Sequence, residues 1–338
     1  MKTPAGVIVL ALVGCLSFTA CEEENTPENN FEIFWRDFDL MYAQFAHKGV
    51  DWDDVYDTLR PKVGPNTTDD ALFDILSDAA ARLNDNHIRI YGDGRFFESG
   101  IVGRTEDDDF ELDIVRDNYL EDEGQSGENN FTFGWVDEKT GYVHIRKMYG
   151  DEDDEWYKGI DTALSHLNGA TAMIVDVRGN MGGQDLDAYE IAGRFADKKR
   201  AAMKTKYRNG PDHDDFGPTK TWYIEPKGKR QFTGPIILLT NLFTMSAGEN
   251  FIFAMSRLPY VTQMGSTTSG ACANTLRREL LNGWFYSVPI GLFTDMEDRS
   301  VEGIGIVPAE ENRFVNTPED LQAGIDTVLE AAIARLQQ

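Results

Sequence analysis

Ile174-Val175-Asp176-Val177-Arg178-Gly179-Asn180-Met181-Gly182-Gly183 is the stretch on which the fold turns. The short continuous apolar run 172–177 is the pattern of a strand buried on both faces. It ends in a polar turn and two glycines, where backbone N–H groups can face outward. Only glycine lets a backbone come so close to a substrate carbonyl, so the turn can supply half of an oxyanion hole. An ordinary strand-to-helix turn explains the same residues, and the neighbouring segments decide between the two. A second apolar run spans 235–239, and 141–148 alternates. Helical patterns fit at 155–167, 185–195 and 247–257. Strands alternating with helices imply an α/β domain.

Upstream, the texture is helical. Phe31, Phe34, Trp35, Phe38, Met41, Tyr42 and Phe45 recur at three- and four-residue steps along one amphipathic face. A second helix is expected over 52–59, stopped by Pro61. A third is capped by Thr68 and carries Leu72, Ile75, Leu76, Ala79, Ala80 and Leu83. Short strands are expected at 88–91, 110–115 and 131–136. Leu281-Asn282-Gly283-Trp284 marks a hairpin between 275–280 and 285–289. A helix over 318–336 closes the chain. The acidic runs 107–109 and 151–155 lack the central glycine and spacing of a calcium loop and read as solvated faces.

The 338 residues carry 58 acidic against 32 basic side chains, a net charge of −26. That field opposes phosphate contacts and argues against a nucleic-acid partner. The 11% aromatic content argues against disorder. Three cysteines make no disulfide scaffold, and no Cys-x-x-Cys or His/Cys cluster offers a metal site. At the start, Lys2 precedes the apolar run 5–18, too short to span a membrane, and Phe18-Thr19-Ala20-Cys21 resembles a bacterial lipobox. The expectation is a lipoprotein signal over 1–20, a polar tether over 21–30 and a lipid anchor at Cys21. An ordinary cleaved secretory signal is the alternative. Removal of 1–20 takes away one lysine and no acid, moving the charge from −26 to −27. It also discards Cys15 and leaves Cys272 solitary, a small buried apolar residue by expectation.

Three further segments carry candidate chemistry. In Thr240-Asn241-Leu242-Phe243-Thr244-Met245-Ser246-Ala247-Gly248-Glu249-Asn250, Ser246 falls at a helix N-terminus, where the dipole and free N–H groups favour an anion. A capping box, Ser246-x-x-Glu249, accounts for the same two residues without catalysis. Leu83-Asn84-Asp85-Asn86-His87 joins the helical region to the first strand, and Val301-Glu302-Gly303-Ile304-Gly305 sets a carboxylate before a Gly-rich turn.

Taken together, the four segments resemble, in order and local sequence, the C-terminal processing peptidase and tricorn-core serine peptidase family. The Asp-x-Arg-Gly-Asn-x-Gly-Gly strand end and the Ser-Ala-Gly-Glu turn are its most specific marks. The resemblance runs from about Phe31 to Pro308. It implies a crotonase-like α/β spiral core over 88–338 behind a small helical subdomain over 31–87. It also implies Ser246 as nucleophile, with the N–H groups of Ala247 and of Gly182 or Gly183 as oxyanion hole. The processing branch would place a lysine base after the serine, but the last lysine of the chain is Lys229. The tricorn-like branch uses a histidine before the first core strand and a glutamate near the C-terminal Gly-rich turn, which His87 and Glu302 match. Asn86 stands where that branch would have serine. About fifty residues separate His87 from Gly141, too few for the peptide-binding PDZ module of the processing branch.

The expected function is therefore an exported, lipid-anchored serine peptidase of the cell envelope acting on peptide or protein substrates, without metal or cofactor. Serine gains nucleophilicity when an imidazole takes its proton, and a carboxylate on the far nitrogen fixes the tautomer. An unperturbed His87 would lose activity below about pH 6.5. The other histidines have simpler explanations: His47 and His166 near helix C-termini, His144 in a strand and His213 in an acidic loop. Two other classes compete. One is a non-catalytic binding protein on the same fold, with Phe243, Phe251, Phe253, Trp284 and Phe285 lining a pocket. The other, a carbohydrate-active protein using paired carboxylates, has no distinctive acidic pair to support it.

Overall fold

The computed structural model describes residues 23–100 and 109–338. The signal segment, Cys15, the anchor candidate Cys21, and Asp107 and Asp108 of the first acidic run lie outside the described residues. The described residues open with helices α1 (Pro27–Met41), α2 (Phe45–Lys48), α3 (Trp52–Leu59) and α4 (Asp69–Ala81). Thr68 caps α4 by accepting from the Ala71 N–H, as its sequence position predicts. The helix expected to run through Phe45 is instead two, because Tyr42 turns extended (ψ 127°) and α2 restarts the face.

Strands β1 (Arg89–Gly92) and β2 (Arg95–Glu98) follow, then α5 (Leu112–Tyr119), β3 (Glu121–Ser126), β4 (Phe131–Trp135) and β5 (Thr140–Ile145). Next come α6 (Gly159–His166), β6 (Ala172–Asp176), α7 (Asp185–Ala192), β7 (Arg200–Tyr207) and β8 (Lys220–Ile224). The remainder comprises β9 (Ile236–Thr240), α8 (Ala247–Met255), β10 (Val261–Gly265), β11 (Thr275–Glu279), β12 (Phe285–Pro289), β13 (Gly291–Thr294), α9 (Pro318–Gln322) and α10 (Thr327–Leu336). Two expectations fail here. The strand expected at 110–115 is α5, whose Leu112, Val115 and Tyr119 meet one core cluster at helical spacing. The closing helix is split by Gly324, which sits at φ +74° between α9 and α10.

Three sheets form. The central one runs β10-β9-β6-β5-β4-β3, with β10, β9, β6 and β5 parallel and β4 and β3 antiparallel. It is covered on both faces, which is why its strands read as continuous apolar runs. Met173, Val175 and Leu238 face the cluster with α6, α7 and α8, while Ile174, Ile237 and Leu239 face α5 and α10. A second sheet, β11-β12-β1-β2, contains the expected hairpin and packs on the N-terminal helices. Phe34, Phe38 and Leu76 share one core with Ile90, Tyr286 and Val288. The third is β13-β7-β8. Because β6 and β9 are parallel neighbours, the loops after Asp176 and Thr240 leave the same edge of the sheet, where open α/β sheets bind ligands.

Candidate active site

The turn after β6 is tied down by its own polar residues. Arg178 is fully buried and grips Asp176 (Nη2 to Oδ2, 2.6 Å) and Asp326 at the start of α10 (2.9 and 3.0 Å). The Tyr142 hydroxyl completes Asp176 at 2.8 Å, and the guanidinium lies 4.2 Å from the Phe110 ring centre. The Asp-x-Arg part of the motif is thus a strut that fixes where the strand ends. Beyond it, Asn180 donates to the Ile145 carbonyl and accepts from the Gly182 N–H at 2.9 Å. That bond occupies one of the two nominated glycine donors. Gly183 bridges in parallel to Met148 through its neighbours: the Met148 N–H donates to the Gly182 carbonyl and the Gln184 N–H to the Met148 carbonyl. In such a bridge the N–H of Gly183 itself points away from Met148. Glycine is required at 182, where φ is +91° and a Cβ would lie 2.6 Å from that of Ser246 and 2.9 Å from the Ala247 nitrogen.

Ser246 precedes α8 with φ +57° and ψ −126°, backbone that non-glycine residues rarely adopt and that costs ~1–3 kcal/mol. Its N–H donates to the Ala271 carbonyl at 2.8 Å, and its side chain makes no capping bond. The capping-box explanation is therefore wrong. Glu249 turns away from Ser246 and grips the loop beyond β10. Its carboxylate accepts from the Thr268 hydroxyl, the Gly270 N–H (2.7 Å) and the Ala271 N–H (2.8 Å), with the Cys272 thiol at 3.5 Å. Burial raises the Glu249 pKa, and these donors oppose the rise without cancelling it. The strained serine is held by a loop that Glu249 holds in turn.

The same loop receives the other two candidates. Glu302 Oε2 accepts from the Cys272 N–H at 3.1 Å, and Asn86 donates to the Ser269 carbonyl at 3.0 Å. His87 Nδ1 faces Glu302 Oε1 at 4.0 Å, and neither buried atom has a hydrogen-bond partner. Burial lowers the His87 pKa to about 4, with Asp85 opposing and Arg89 assisting. Burial also pushes Glu302 well above the carboxylate range, helped by the negative charges of Asp85 and Glu249 and opposed by the Cys272 N–H and Lys48. Burial thus favours the neutral imidazole over the ordinary titration near pH 6.5.

Asp85 is the residue that sequence reading passed over. It is fully buried, and its Oδ1 accepts from the backbone N–H of His87 at 3.0 Å while its Oδ2 accepts from the Tyr42 hydroxyl at 2.9 Å. The only signal was its position two residues before the histidine, the spacing of an Asx turn. Asp85, His87 and Glu302 bring one ligand atom each within 4.8 Å of one another, a spacing that suits a shared proton or a cation; Asp212, Asp214 and Asp215 do so in an exposed loop. His47 also reaches this region, its Nε2 lying 3.2 Å from the Glu302 carbonyl oxygen. Cys272 is buried as expected but sits among carboxylates, and burial raises its pKa well above the thiol range. The aromatic pocket does not form: Phe251 and Phe253 are in the central core and Trp284 in the N-terminal one.

Residues 139–311 match the model of peptidase family S41, and residues 23–81 match the tricorn protease C1 domain. The carboxy-terminal processing protease CtpA of Bacillus subtilis is 25% identical over 172 residues, 51% of this chain and 34% of that protein. The tricorn protease of Thermoplasma volcanium is 29% identical over 197 residues, 58% of this chain and 17% of its own length. The chain thus spans about a third and a sixth of these curated relatives. Among solved structures, a candidate peptidase from Parabacteroides merdae is 32% identical with a TM-score of 0.83, covering 93% of this chain and 98% of its own. With more than half of its residues inside the family match, the chain belongs to peptidase family S41.

Proposed function

We propose that the protein is a serine peptidase in which Ser246 is the nucleophile, His87 the general base and Glu302 the positioning carboxylate. The observation that carries this reading is the pair of orphaned buried atoms, His87 Nδ1 and Glu302 Oε1, facing each other at 4.0 Å. Unsatisfied buried polar atoms are costly, and a separation that must shorten by about 1 Å to become a hydrogen bond fits a relay that tightens as charge develops. With Nδ1 turned to Glu302, Nε2 is left to take the serine proton. Ser246 Oγ then bonds to the peptide carbonyl carbon, the carbonyl oxygen takes the negative charge, and His87 returns the proton to the departing amine. Water repeats the sequence to release the acyl group. The Ala247 and Gly183 N–H groups receive the oxyanion, while Gly182 supplies the close approach.

In this reading residues 88–338 form a crotonase-like spiral core, supported by the successive parallel strands β5, β6, β9 and β10. Residues 31–87 form a helical subdomain that delivers His87. The signal over 1–20 directs export and the lipid on Cys21 holds the enzyme to the cell envelope, a reading supported by the lipobox-like sequence. The tether expected over 21–30 is shorter, because residues 27–30 form the first turn of α1 and Asn30 is buried. Among the described residues no helix is long and apolar enough to cross a membrane. Incubation of the purified chain with a mixed peptide library tests the activity. Cleavage that Ser246→Ala abolishes, with the variant still folded, supports it; an uncleaved library, or cleavage that survives the substitution, overturns it.

A further inference from the structure

Asp185 opens α7, two residues beyond Gly183. Asn250 stands four residues after Ser246, roughly one helical turn along α8. The Asn250 amide donates to Asp185 Oδ1 at 2.7 Å, and Asn274 donates to Oδ2 at 3.4 Å. A carboxylate at a helix N-terminus has a ready explanation in the helix dipole. Two neighbouring atoms do not share it. Asn250 Oδ1 and the Tyr189 hydroxyl are buried without a hydrogen-bond partner. Asn250 is fully buried and Tyr189 is 8% exposed.

These groups are gathered about the first turn of α7. Tyr189 lies one turn after Asp185 on the same face of α7, Asn250 reaches the carboxylate from α8, and Tyr207 joins through its bond to Asn274. The opposing cation is Lys220, which forms no ion pair with Asp185 among the described residues and lies 3.8 Å from the Trp222 ring centre. Asp185 remains partly exposed, Gly183 and Gln184 are exposed, and the Tyr207 hydroxyl reaches Asn274 at the rim. The groups on this turn are a carboxylate, an unpaired amide oxygen and an unpaired phenol, with the Tyr189 ring 5.3 Å from that of Trp222. Such a set is short of donors and complements a group that brings several of them with a positive charge.

We propose that Asp185, Asn250 and Tyr189 form a subsite for a lysine or arginine side chain of the substrate at a position bordering the scissile bond. This rests on the peptidase reading, since the subsite is defined by its closeness to Ser246 and Gly183. The net charge of −26 adds long-range attraction for a cationic peptide.

Binding to the Ser246→Ala variant separates this from turnover. Two matched peptide pairs are used, each carrying arginine or the neutral isostere citrulline on one side of a bond. Calorimetry is expected to give about 10- to 100-fold tighter binding of arginine in one pair. Asp185→Asn in the same background equalises that pair, and Tyr189→Phe, which keeps the ring, narrows the gap. Equal affinities in both pairs, or a gap that survives both substitutions, overturn the subsite. Cleavage of the peptides by the wild-type chain reports separately on the peptidase reading.

Discussion

Two buried charge clusters stand near the same edge of the central sheet, and they are built on opposite plans. Around Arg178 both carboxylates are paired with the guanidinium at 2.6–3.1 Å, and Asn316 and Tyr142 add further bonds. Around His87 two carboxylates and a neutral imidazole are buried together, with one nitrogen and one oxygen left unpaired. Burial of charge is tolerable when every group is matched and becomes a reservoir for chemistry when it is not. The first cluster fixes a strand end; the second leaves an imidazole nitrogen and a carboxyl oxygen facing each other at 4.0 Å, where the proposed relay would act.

The sharpest way to break this contrast is to disable each cluster and compare activity with stability. His87→Ala or Glu302→Gln should lower kcat/KM about 10³- to 10⁴-fold, while the fold persists. For Glu302 the sign of the stability change can be stated. A carboxyl whose pKa is raised on folding binds its proton more tightly in the folded state. Its folding contribution is therefore lost as pH rises from the ordinary carboxylate range through the raised value. Gln removes that penalty, so the variant should melt at the same temperature as wild type or higher at neutral pH. Thermal melts alongside peptidase assays check both halves.

Arg178→Met should do the reverse in origin, costing about 3–5 kcal/mol because Asp176 and Asp326 remain buried without their cation. Urea titration measures it, and any loss of activity should follow the loss of folded protein. Glu249→Gln lies between the two. It exchanges an acceptor for a donor opposite the Gly270 and Ala271 N–H groups, so a cost of about 1–3 kcal/mol is expected together with slower turnover. The smallest effect is on the pH profile. With His87 near 4, activity should hold through pH 5 and fall towards pH 4. An acid limb at 6.5 would mean that the histidine is not buried as described.

What the sequence made legible follows from locality. The apolar runs of β6 and β9, the Thr68 cap and the 281–284 hairpin each depend on neighbours a few residues apart, and each is found. Asp176 is a local partner of Arg178, but the others are distant: Asp326 lies 148 residues from Arg178, and the Cys272 N–H lies 30 residues from Glu302. No spacing rule reaches them. Local rules also misled where the tertiary structure had other uses for the residues. Ser246-x-x-Glu249 has the form of a capping box, yet the carboxylate serves a loop twenty residues on. Phe110 and Val115 suggested a strand, but Phe110 precedes α5 and lies over the Arg178 guanidinium, while Val115 of α5 shares a core with Val328 and Leu329 of α10. Asp85 was visible and unremarked because an Asx turn is the common use of an aspartate there.

The claim on which the account stands is that a buried, neutral His87 activates Ser246. Fluorophosphonate labelling at neutral pH, read by mass spectrometry of the modified peptide, tests it directly, since only an activated serine reacts. The account predicts a single adduct on Ser246 in the wild-type chain, absent from Ser246→Ala and reduced by orders of magnitude in a folded His87→Ala variant. A wild-type chain that stays unlabelled, or a His87→Ala variant that labels at the wild-type rate, would contradict it.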